Sequence, residues 1–182
     1  MSREEKTIYL TFDDGPIPDL TEWILDVLMR FKVKATFFCV GANIQKNPGI
    51  FERIKSEGHV TANHTMFHTK GFKNTVGDYV REVEECKKLV DNNLFRPPYG
   101  QLKRGQYKAL MERGYKIILW DVISYDFEKI TRTECADNVM KNAKNGSIVL
   151  FHDNVKAEEN MKYALPIFLE SFLKQGFTFK TL

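Results

Sequence analysis

The 182-residue chain is poor in cysteine and has no long apolar run. Its three cysteines, Cys39, Cys86 and Cys135, lie far apart and form no CxxC pair. An odd and scattered set does not indicate a disulfide framework, so we expect buried free thiols. No apolar run approaches the roughly 18 residues of a membrane-crossing helix. The sequence therefore predicts no membrane span.

A leader sequence and a concentration of charge are also lacking. Only MSREEK precedes the first apolar run, so we expect a cytoplasmic protein by default, unless a leader has been removed. The net charge is +3, and the basic residues are scattered. They form neither a nucleic-acid-binding stripe nor a polybasic membrane segment. We expect a monomer with no nucleic-acid partner.

Short apolar runs alternate with amphipathic stretches, and apolar residues make up 43% of the chain, enough for a buried core. Strands are predicted at 7–12, 34–40, 59–63, 94–95, 116–122, 147–153 and 177–182. Helices are predicted at 21–31, 48–58, 75–92, 103–115, 131–146 and 160–176, the last interrupted near Pro166. This alternation predicts right-handed βαβ units and a parallel sheet, and seven strand candidates favour an α/β barrel.

Chemically reactive residues fall just after the predicted strands, where parallel barrels carry their active sites. These residues are Asp13, Asp14, His64, His68, Arg96, Tyr99, Asp121, Asp126, His152 and Asp153. A barrel would gather them around one mouth. His59 stands at the start of a strand instead, and we interpret it as structural.

Two motifs indicate a metal centre. His64 and His68 are four residues apart, so from one helical turn or a tight loop they can bind the same ion. Asp13 and Asp14 could supply a carboxylate ligand and a second carboxylate that takes a proton from water. Taken alone, the histidines also fit unrelated surface residues, and the aspartates fit an ordinary turn.

Two further segments have both a functional and a structural interpretation. The prolines of RPPYG (96–100) stiffen a loop that could hold Arg96 on a carboxylate and aim a backbone N–H at an oxyanion. The same segment also fits a rigid surface turn. His152 ends an apolar strand, where it is either a satisfied core histidine or, beside a metal site, a general acid.

Taken in order, five motifs resemble those of the polysaccharide deacetylases of carbohydrate esterase family 4, the NodB homology domain. They are TFDDGP (11–16), HTMFH (64–68), RPPYG (96–100), WDVISYDF (120–127) and LFH (150–152). The resemblance covers most of the chain. It implies a distorted (β/α) TIM-like barrel, usually of seven parallel strands, and a single catalytic domain over residues 1–182.

The resemblance also implies a metal site and a general base. Asp14, His64 and His68 would hold a divalent metal, commonly zinc and sometimes cobalt or another ion. Asp13 would be the general base, and Arg96 would orient it. The substrate would be an acetylated glycan or oligosaccharide.

The remaining roles implied by the resemblance concern the acid and the acetyl pocket. His152 would be the general acid, and Asp126 would raise its pKa because an adjacent carboxylate favours imidazolium. The backbone N–H of Tyr99 would stabilise the oxyanion, and Leu150 would line the acetyl pocket. Phe127 would form an aromatic wall of that pocket.

The fourth motif departs from the family pattern, which reads Asp-x-x-Asp-Trp. Ile123 stands in place of the first aspartate and removes a charge from the Arg–Asp–His network. Phe127 stands in place of tryptophan and leaves a smaller wall. Asp121 could replace the lost charge only in part, because it stands two positions early.

The leading hypothesis is a metal-dependent hydrolase that removes N-acetyl groups from glycans containing N-acetylglucosamine, such as peptidoglycan, chitin-like oligomers or a surface polysaccharide. The same site also fits an O-acetyl esterase acting on acetylated xylan. A non-catalytic glycan-binding domain predicts loss of the base or of metal ligands, and none is lost. The complete TFDDGP and HTMFH motifs argue against a hydrolase of small cyclic amides.

Overall fold

A computed structural model describes residues 5–182, in which eight strands and seven α-helices alternate. The strands are β1 (Thr7–Asp13), β2 (Thr36–Cys39), β3 (Val60–Asn63), β4 (Leu94–Phe95), β5 (Lys116–Ile117), β6 (Val122–Ile123), β7 (Ile148–His152) and β8 (Thr178–Lys180). The helices are α1 (Leu20–Phe31), α2 (Gly41–Lys46), α3 (Pro48–Ser56), α4 (Val76–Lys87), α5 (Arg104–Glu112), α6 (Arg132–Asn142) and α7 (Glu158–Lys174). Residues 1–4, part of the segment on which the leader expectation rests, lie outside the described residues.

The strands form one parallel sheet in the order β5-β4-β3-β2-β1-β7-β6, and β8 pairs with the first residues of β1. Seven of them curl into a half-barrel surrounded by helices. The predicted distorted (β/α) barrel is therefore confirmed. Because all the pairs are parallel, the carboxyl ends of the strands meet on one side of the sheet.

Strand β1 is the centre of the sheet and carries the first two aspartates at its end. Its neighbours along the strand order are β2 and β7, and Asp13 lies in register with Phe38, the next-to-last residue of β2, and with His152, the last residue of β7. Phe12 is fully buried and stacks on Phe37 with ring centroids 5.0 Å apart. This packing of large side chains on both sides fixes the position at which Asp13 leaves the core.

The single strand predicted at 116–122 is wrong. The chain forms β5 at one end of the strand order and β6 at the other. Between them, the carbonyls of Ile118 and Leu119 accept hydrogen bonds from Arg96 Nε and Nη2, each at 3.2 Å. Since these carbonyls bind a buried guanidinium, they do not join the sheet, and residues 118–121 link its two ends.

Asp121 was predicted to lie at the mouth of the barrel, and this prediction is wrong because Asp121 precedes a strand instead of following one. It directly precedes β6, and its exposed carboxylate accepts the backbone N–H of Ile148 at 2.9 Å. Ile148 is the first residue of β7, so Asp121 lies at the amino end of the sheet. It does not replace the charge missing at Ile123.

The helices differ from the predictions at several ends, for example in α6, which ends at Asn142 rather than at residue 146. The helix predicted at 75–92 ends at Lys87, where the N–H groups of Lys88 and Leu89 bond to carbonyls three residues back and tighten the turn. The short helix α2 was missed because six residues are too few for a clear apolar period. Pro166 does not interrupt α7, whose buried face packs continuously on the sheet.

Two structural expectations about individual side chains agree with the model. Cys39, Cys86 and Cys135 are buried free thiols. His59 is buried before β3, and its Nδ1 accepts the N–H of Ala35 at 3.1 Å. Burial lowers the pKa of His59 to about 4, so this histidine is neutral near pH 7.

None of the helices in residues 5–182 combines the length and apolar character needed to cross a membrane.

The packing of α7 yields a stability prediction. Phe168 is fully buried between Phe151, Phe172 and Phe179. We expect Phe168→Ala to lower the free energy of unfolding by about 3–5 kcal/mol, because it leaves a cavity. The matched control is Ile167→Ala at the next, partly exposed position, with an expected loss of about 0.5 kcal/mol or less. Urea unfolding measures both, and equal losses would contradict the packing described.

Candidate active site

A cavity of about 590 Å³ opens at the carboxyl ends of the strands. Most of the predicted site residues line it, namely Asp13, Asp14, His64, His68, Tyr99, Phe127, Leu150 and His152. Arg96 and Asp126 are fully buried and contact lining residues. Motifs spread over 140 residues of sequence thus converge on one cavity, as the barrel predicted.

Asp14, His64 and His68 form a compact cluster in this cavity. One ligand atom from each lies within 4.8 Å of the other two. Asp14 Oδ1 is 3.1 Å from His68 Nε2 and 3.5 Å from His64 Nε2, but neither contact has hydrogen-bond geometry. Among the described residues, this buried carboxylate oxygen therefore has no hydrogen-bond partner.

The two histidines are brought together by a tight loop after β3. Thr65 and His68 adopt positive φ angles of 65° and 54°. The buried side chain of Asn63 holds the turn: its Oδ1 accepts the N–H of Thr65 at 2.9 Å, and its Nδ2 donates to the carbonyl of Val83 at 2.8 Å. Sequence reasoning missed Asn63, although a polar residue at a buried strand end beside HTMFH was a usable signal.

The orientation of His64 is set by a hydrogen bond to the backbone. Its Nδ1 lies 2.7 Å from the carbonyl oxygen of Arg96, and the ring is almost completely buried. Because a carbonyl can only accept, Nδ1 carries the proton and Nε2 presents a lone pair to Asp14. Metal-binding histidines are commonly oriented in this way.

This cluster fits a divalent metal ion. Two imidazole nitrogens and one carboxylate oxygen match the donors that zinc accepts in catalytic sites. Burial raises the pKa of the Asp14 carboxyl, whereas close contacts with His64 and His68, when these imidazoles are protonated, lower it well below its usual range. A cation would supply the partner that the ionised carboxylate lacks at Oδ1.

Asp13 lies beside this cluster and contacts a buried cation. Its Oδ1 accepts from Arg96 Nη1 at 2.7 Å, and its Oδ2 lies 3.8 Å from His64 Nε2. Arg96 is fully buried, and Nη1 also donates to Thr11 Oγ1 at 2.8 Å. The guanidinium also lies over the Phe38 ring, 4.1 Å from its centroid. These contacts fix one carboxylate oxygen of Asp13 and leave the other facing the cavity.

The neighbouring aspartates diverge because the backbone turns between them. Asp13 is the last residue of β1, whereas Asp14 has a φ of 92°, and its carbonyl accepts from Asn43 Nδ2 at 2.8 Å. Gly15 follows, and a Cβ there would lie 1.7 Å from Asp153 Oδ2. Gly15 also donates its N–H to Asp153 Oδ1 at 2.9 Å. Glycine is therefore required at position 15. The turn separates the side chains of Asp13 and Asp14 further than the alternation of side chains along a strand alone would.

His152 ends β7 beside Asp13 and forms a pair with Asp126. Asp126 Oδ1 is 2.8 Å from His152 Nδ1, and Oδ2 accepts the backbone N–H of the same residue at 2.8 Å. Burial by itself would lower the pKa of His152. The hydrogen bond and charge of Asp126, with smaller contributions from Asp13 and Asp14, raise that pKa from 6.5 to about 9.

Asp126 is held in place by two asparagines that sequence reasoning missed. Asn160, on α7, donates to the carbonyl of Asp126 at 3.1 Å, and Asn138, on α6, donates to the carbonyl of Ser124 at 3.1 Å. The motif gave no signal for either residue, because both contacts join distant parts of the chain.

Aromatic and apolar side chains form the remaining walls. Phe127 packs edge-on against His152 with ring centroids 4.7 Å apart, and Leu150 and Ile123 are neighbours in register on β7 and β6. Tyr99, with a φ of 60°, places its half-exposed ring 4.8 Å from that of His68. Lining residues that were not predicted are Trp120, Asn154, Val155 and Lys156. Of these, Trp120 belonged to a recognised motif.

Comparison with known proteins agrees with this geometry. A family model described as polysaccharide deacetylase matches residues 1–118. The chain belongs to the polysaccharide deacetylase family. It is a hydrolase of carbohydrate esterase family 4.

Similar proteins and structures align with 86–100% of the length of this deacetylase. A peptidoglycan-N-acetylglucosamine deacetylase of Bacillus cereus is 35% identical over 98% of the chain and 87% of its own length. A chitooligosaccharide deacetylase of Rhizobium leguminosarum is 33% identical over 86% of the chain and 75% of its own length. The crystal structure of a peptidoglycan N-acetylglucosamine deacetylase has a TM-score of 0.94 and 32% identity, covering 100% of this chain and 88% of that one.

The pairing of His152 with Asp126 yields a prediction for the deacetylase. We expect Asp126→Asn to move the pKa of His152 down from about 9 towards 6.5, because the carboxylate that favours imidazolium is removed. The matched control is Asp121→Asn, the same substitution at the exposed aspartate of the same motif. An NMR titration of the imidazole measures both variants, and a His152 pKa unchanged by Asp126→Asn contradicts the assignment.

Proposed function

We propose that the chain is a metal-dependent hydrolase that removes N-acetyl groups from glycans containing N-acetylglucosamine. Peptidoglycan, chitin-like oligomers and surface polysaccharides are the substrate class, and residues 1–182 act as one catalytic domain. The observation that carries the proposal is one cavity that contains a cluster of one aspartate and two histidines able to hold a metal ion, a carboxylate paired with arginine and a histidine paired with aspartate. The names of the similar deacetylases support the choice of glycan.

Asp14, His64 and His68 would hold the metal, for which zinc is the first choice and cobalt or another divalent ion the alternative. Such an ion, when bound, polarises a carbonyl oxygen and lowers the pKa of water. The three protein ligands leave positions open for water and substrate. The loop geometry at Thr65 and His68 keeps both imidazoles on one side of Asp14.

Asp13 is the proposed general base. Arg96 fixes Oδ1 with a charge-assisted hydrogen bond, so Oδ2 is free to accept a proton from the attacking water. The water oxygen then bonds to the acetyl carbonyl carbon. The backbone N–H of Tyr99 donates to the resulting oxyanion.

His152 is the proposed general acid. Its raised pKa keeps the imidazole protonated near pH 7, with Nδ1 held by Asp126 and Nε2 available to donate. Donation to the sugar nitrogen accompanies cleavage of the C–N bond, and acetate and a free amine leave. Leu150 and Phe127 form apolar walls for the acetyl methyl group.

The departures at Ile123 and Phe127 concern the walls of the cavity and leave the proposed base, acid and ligands intact. The N–H groups of Arg96 beyond Asp13 bond to Thr11 and to the carbonyls of Ile118 and Leu119. Arginine is thus satisfied without a carboxylate at position 123. We expect the altered wall to affect substrate choice more than the chemical step.

Acetate release tests the proposed substrate class. Chito-oligosaccharides, peptidoglycan fragments and acetylated xylan are incubated with the zinc-loaded chain, and acetate and free amine are measured together. We expect equal amounts of both from an N-acetylated glycan. Acetate from acetylated xylan alone would identify an O-acetyl esterase. Binding of glycan without release of acetate would identify a non-catalytic domain.

The two neighbouring aspartates give a paired test of the mechanism. We expect Asp13→Asn to lower kcat by about 10²–10⁴-fold, because the proton acceptor is lost, while zinc remains bound. Asp14→Asn removes a ligand and should lose zinc as well as activity. Metal content by atomic emission accompanies each rate measurement. Equal loss of zinc in both variants would mean that the pair has been assigned wrongly.

A chelator tests metal dependence in the unaltered chain. We expect removal of the ion to abolish acetate release, and zinc or cobalt to restore it, because the proposed site supplies the charge that stabilises the oxyanion. Full activity after chelation, with metal content verified as negligible, would contradict the metal mechanism.

A further inference from the structure

Asn154 connects the metal-binding cluster to the start of α7. It lies two residues after His152, in the loop that leaves β7, and it lines the same cavity. Its Nδ2 donates a hydrogen bond to Asp14 Oδ2 across 140 residues of sequence. No motif pointed to this residue, so the contact is a property of the folded chain alone.

The orientation of the Asn154 side-chain amide is fixed by a second contact. Its Oδ1 accepts the backbone N–H of Ala157 at 3.1 Å, and the same N–H also donates to the backbone carbonyl of Asn154 at 3.0 Å. Ala157 is fully buried in the main core and directly precedes α7. Because a backbone N–H can only donate, the carbonyl oxygen of the amide must face Ala157, and its NH₂ group must face Asp14.

The two oxygens of Asp14 consequently have different surroundings. Oδ2 receives a hydrogen bond from Asn154, whereas Oδ1 faces His64 and His68 with no donor among the described residues. The backbone of Asp14 is fixed separately, since Asn43 Nδ2 donates to its carbonyl at 2.8 Å. Asp14 is thus held at its backbone by Asn43 and at its carboxylate by Asn154, with one carboxylate oxygen occupied and one left for a cation.

We propose that Asn154 is a positioning residue that holds Asp14 as a one-oxygen metal ligand. Carboxylates that ligate metals are themselves commonly hydrogen-bonded, and loss of such a partner weakens metal binding. With Oδ2 occupied, Asp14 uses one coordination position rather than two. Asn154 thereby keeps a position open for water or substrate. This inference rests on the proposed metal site.

The test compares two substitutions in the same loop. Asn154→Ser removes the donor to Asp14, while a serine hydroxyl can still accept an N–H near the start of α7. Val155→Ala is the control, because Val155 is 77% exposed and lines the same cavity. Zinc affinity is measured by competition with a chromophoric chelator in the absence of glycan. The visible absorption spectrum of the cobalt form reports the coordination of the ion.

We expect Asn154→Ser to bind zinc roughly 10–100-fold more weakly than the unaltered chain and to change the cobalt spectrum. Val155→Ala should alter neither, and the metal-free thermal midpoints of the three proteins should agree. Zinc affinity within about twofold of the unaltered chain in Asn154→Ser, or an equal loss in Val155→Ala, overturns the role of Asn154 alone. Zinc binding that survives Asp14→Asn overturns the proposed metal site as well.

Discussion

The buried guanidinium of Arg96 is the interaction on which the rest of the site depends. It lies on the Phe38 ring and donates to Asp13, to Thr11 and to the carbonyls of the segment that links β5 and β6. Its own carbonyl orients His64. One residue thus fixes a proposed base and a proposed ligand, and it holds together a sheet that is not closed by strand pairing among residues 5–182. Removal of one partner from such a buried pair costs about 3–5 kcal/mol.

The second ion pair of the cavity joins His152 and Asp126. Arg96 places a positive charge beside Asp13, whereas Asp126 favours the protonated form of His152. These two groups, at the ends of the neighbouring strands β1 and β7, thereby offer the cavity a carboxylate and an imidazolium. The surroundings of each group, rather than its residue type, make one a proton acceptor and the other a proton donor. Hydrolysis of an amide requires both.

Sequence reasoning identified the half-barrel and the residues that line the mouth, because strand periodicity and short motifs are local signals. It failed where a distant contact decides the local conformation. Residues 118–121 fall within the predicted strand 116–122, but Arg96 binds the carbonyls of Ile118 and Leu119. Asn63 and Asn154 were missed for a similar reason, since each acts through hydrogen bonds that only the folded chain brings within reach. Asp121 was misplaced together with the strand that was thought to precede it.

The pairing of charges in the cavity has a consequence for its affinity for protons and metals. Arg96 neutralises Asp13, and protonated His152 neutralises Asp126. Among the described side chains at the site, Asp14 is left as a carboxylate without a charged cationic partner when its imidazole neighbours are neutral. The cluster of Asp14, His64 and His68 therefore carries one net negative charge, and a dication reverses its sign. Acid competes for the same lone pairs, so occupancy by metal should fall as protons rise, independently of the chemical step.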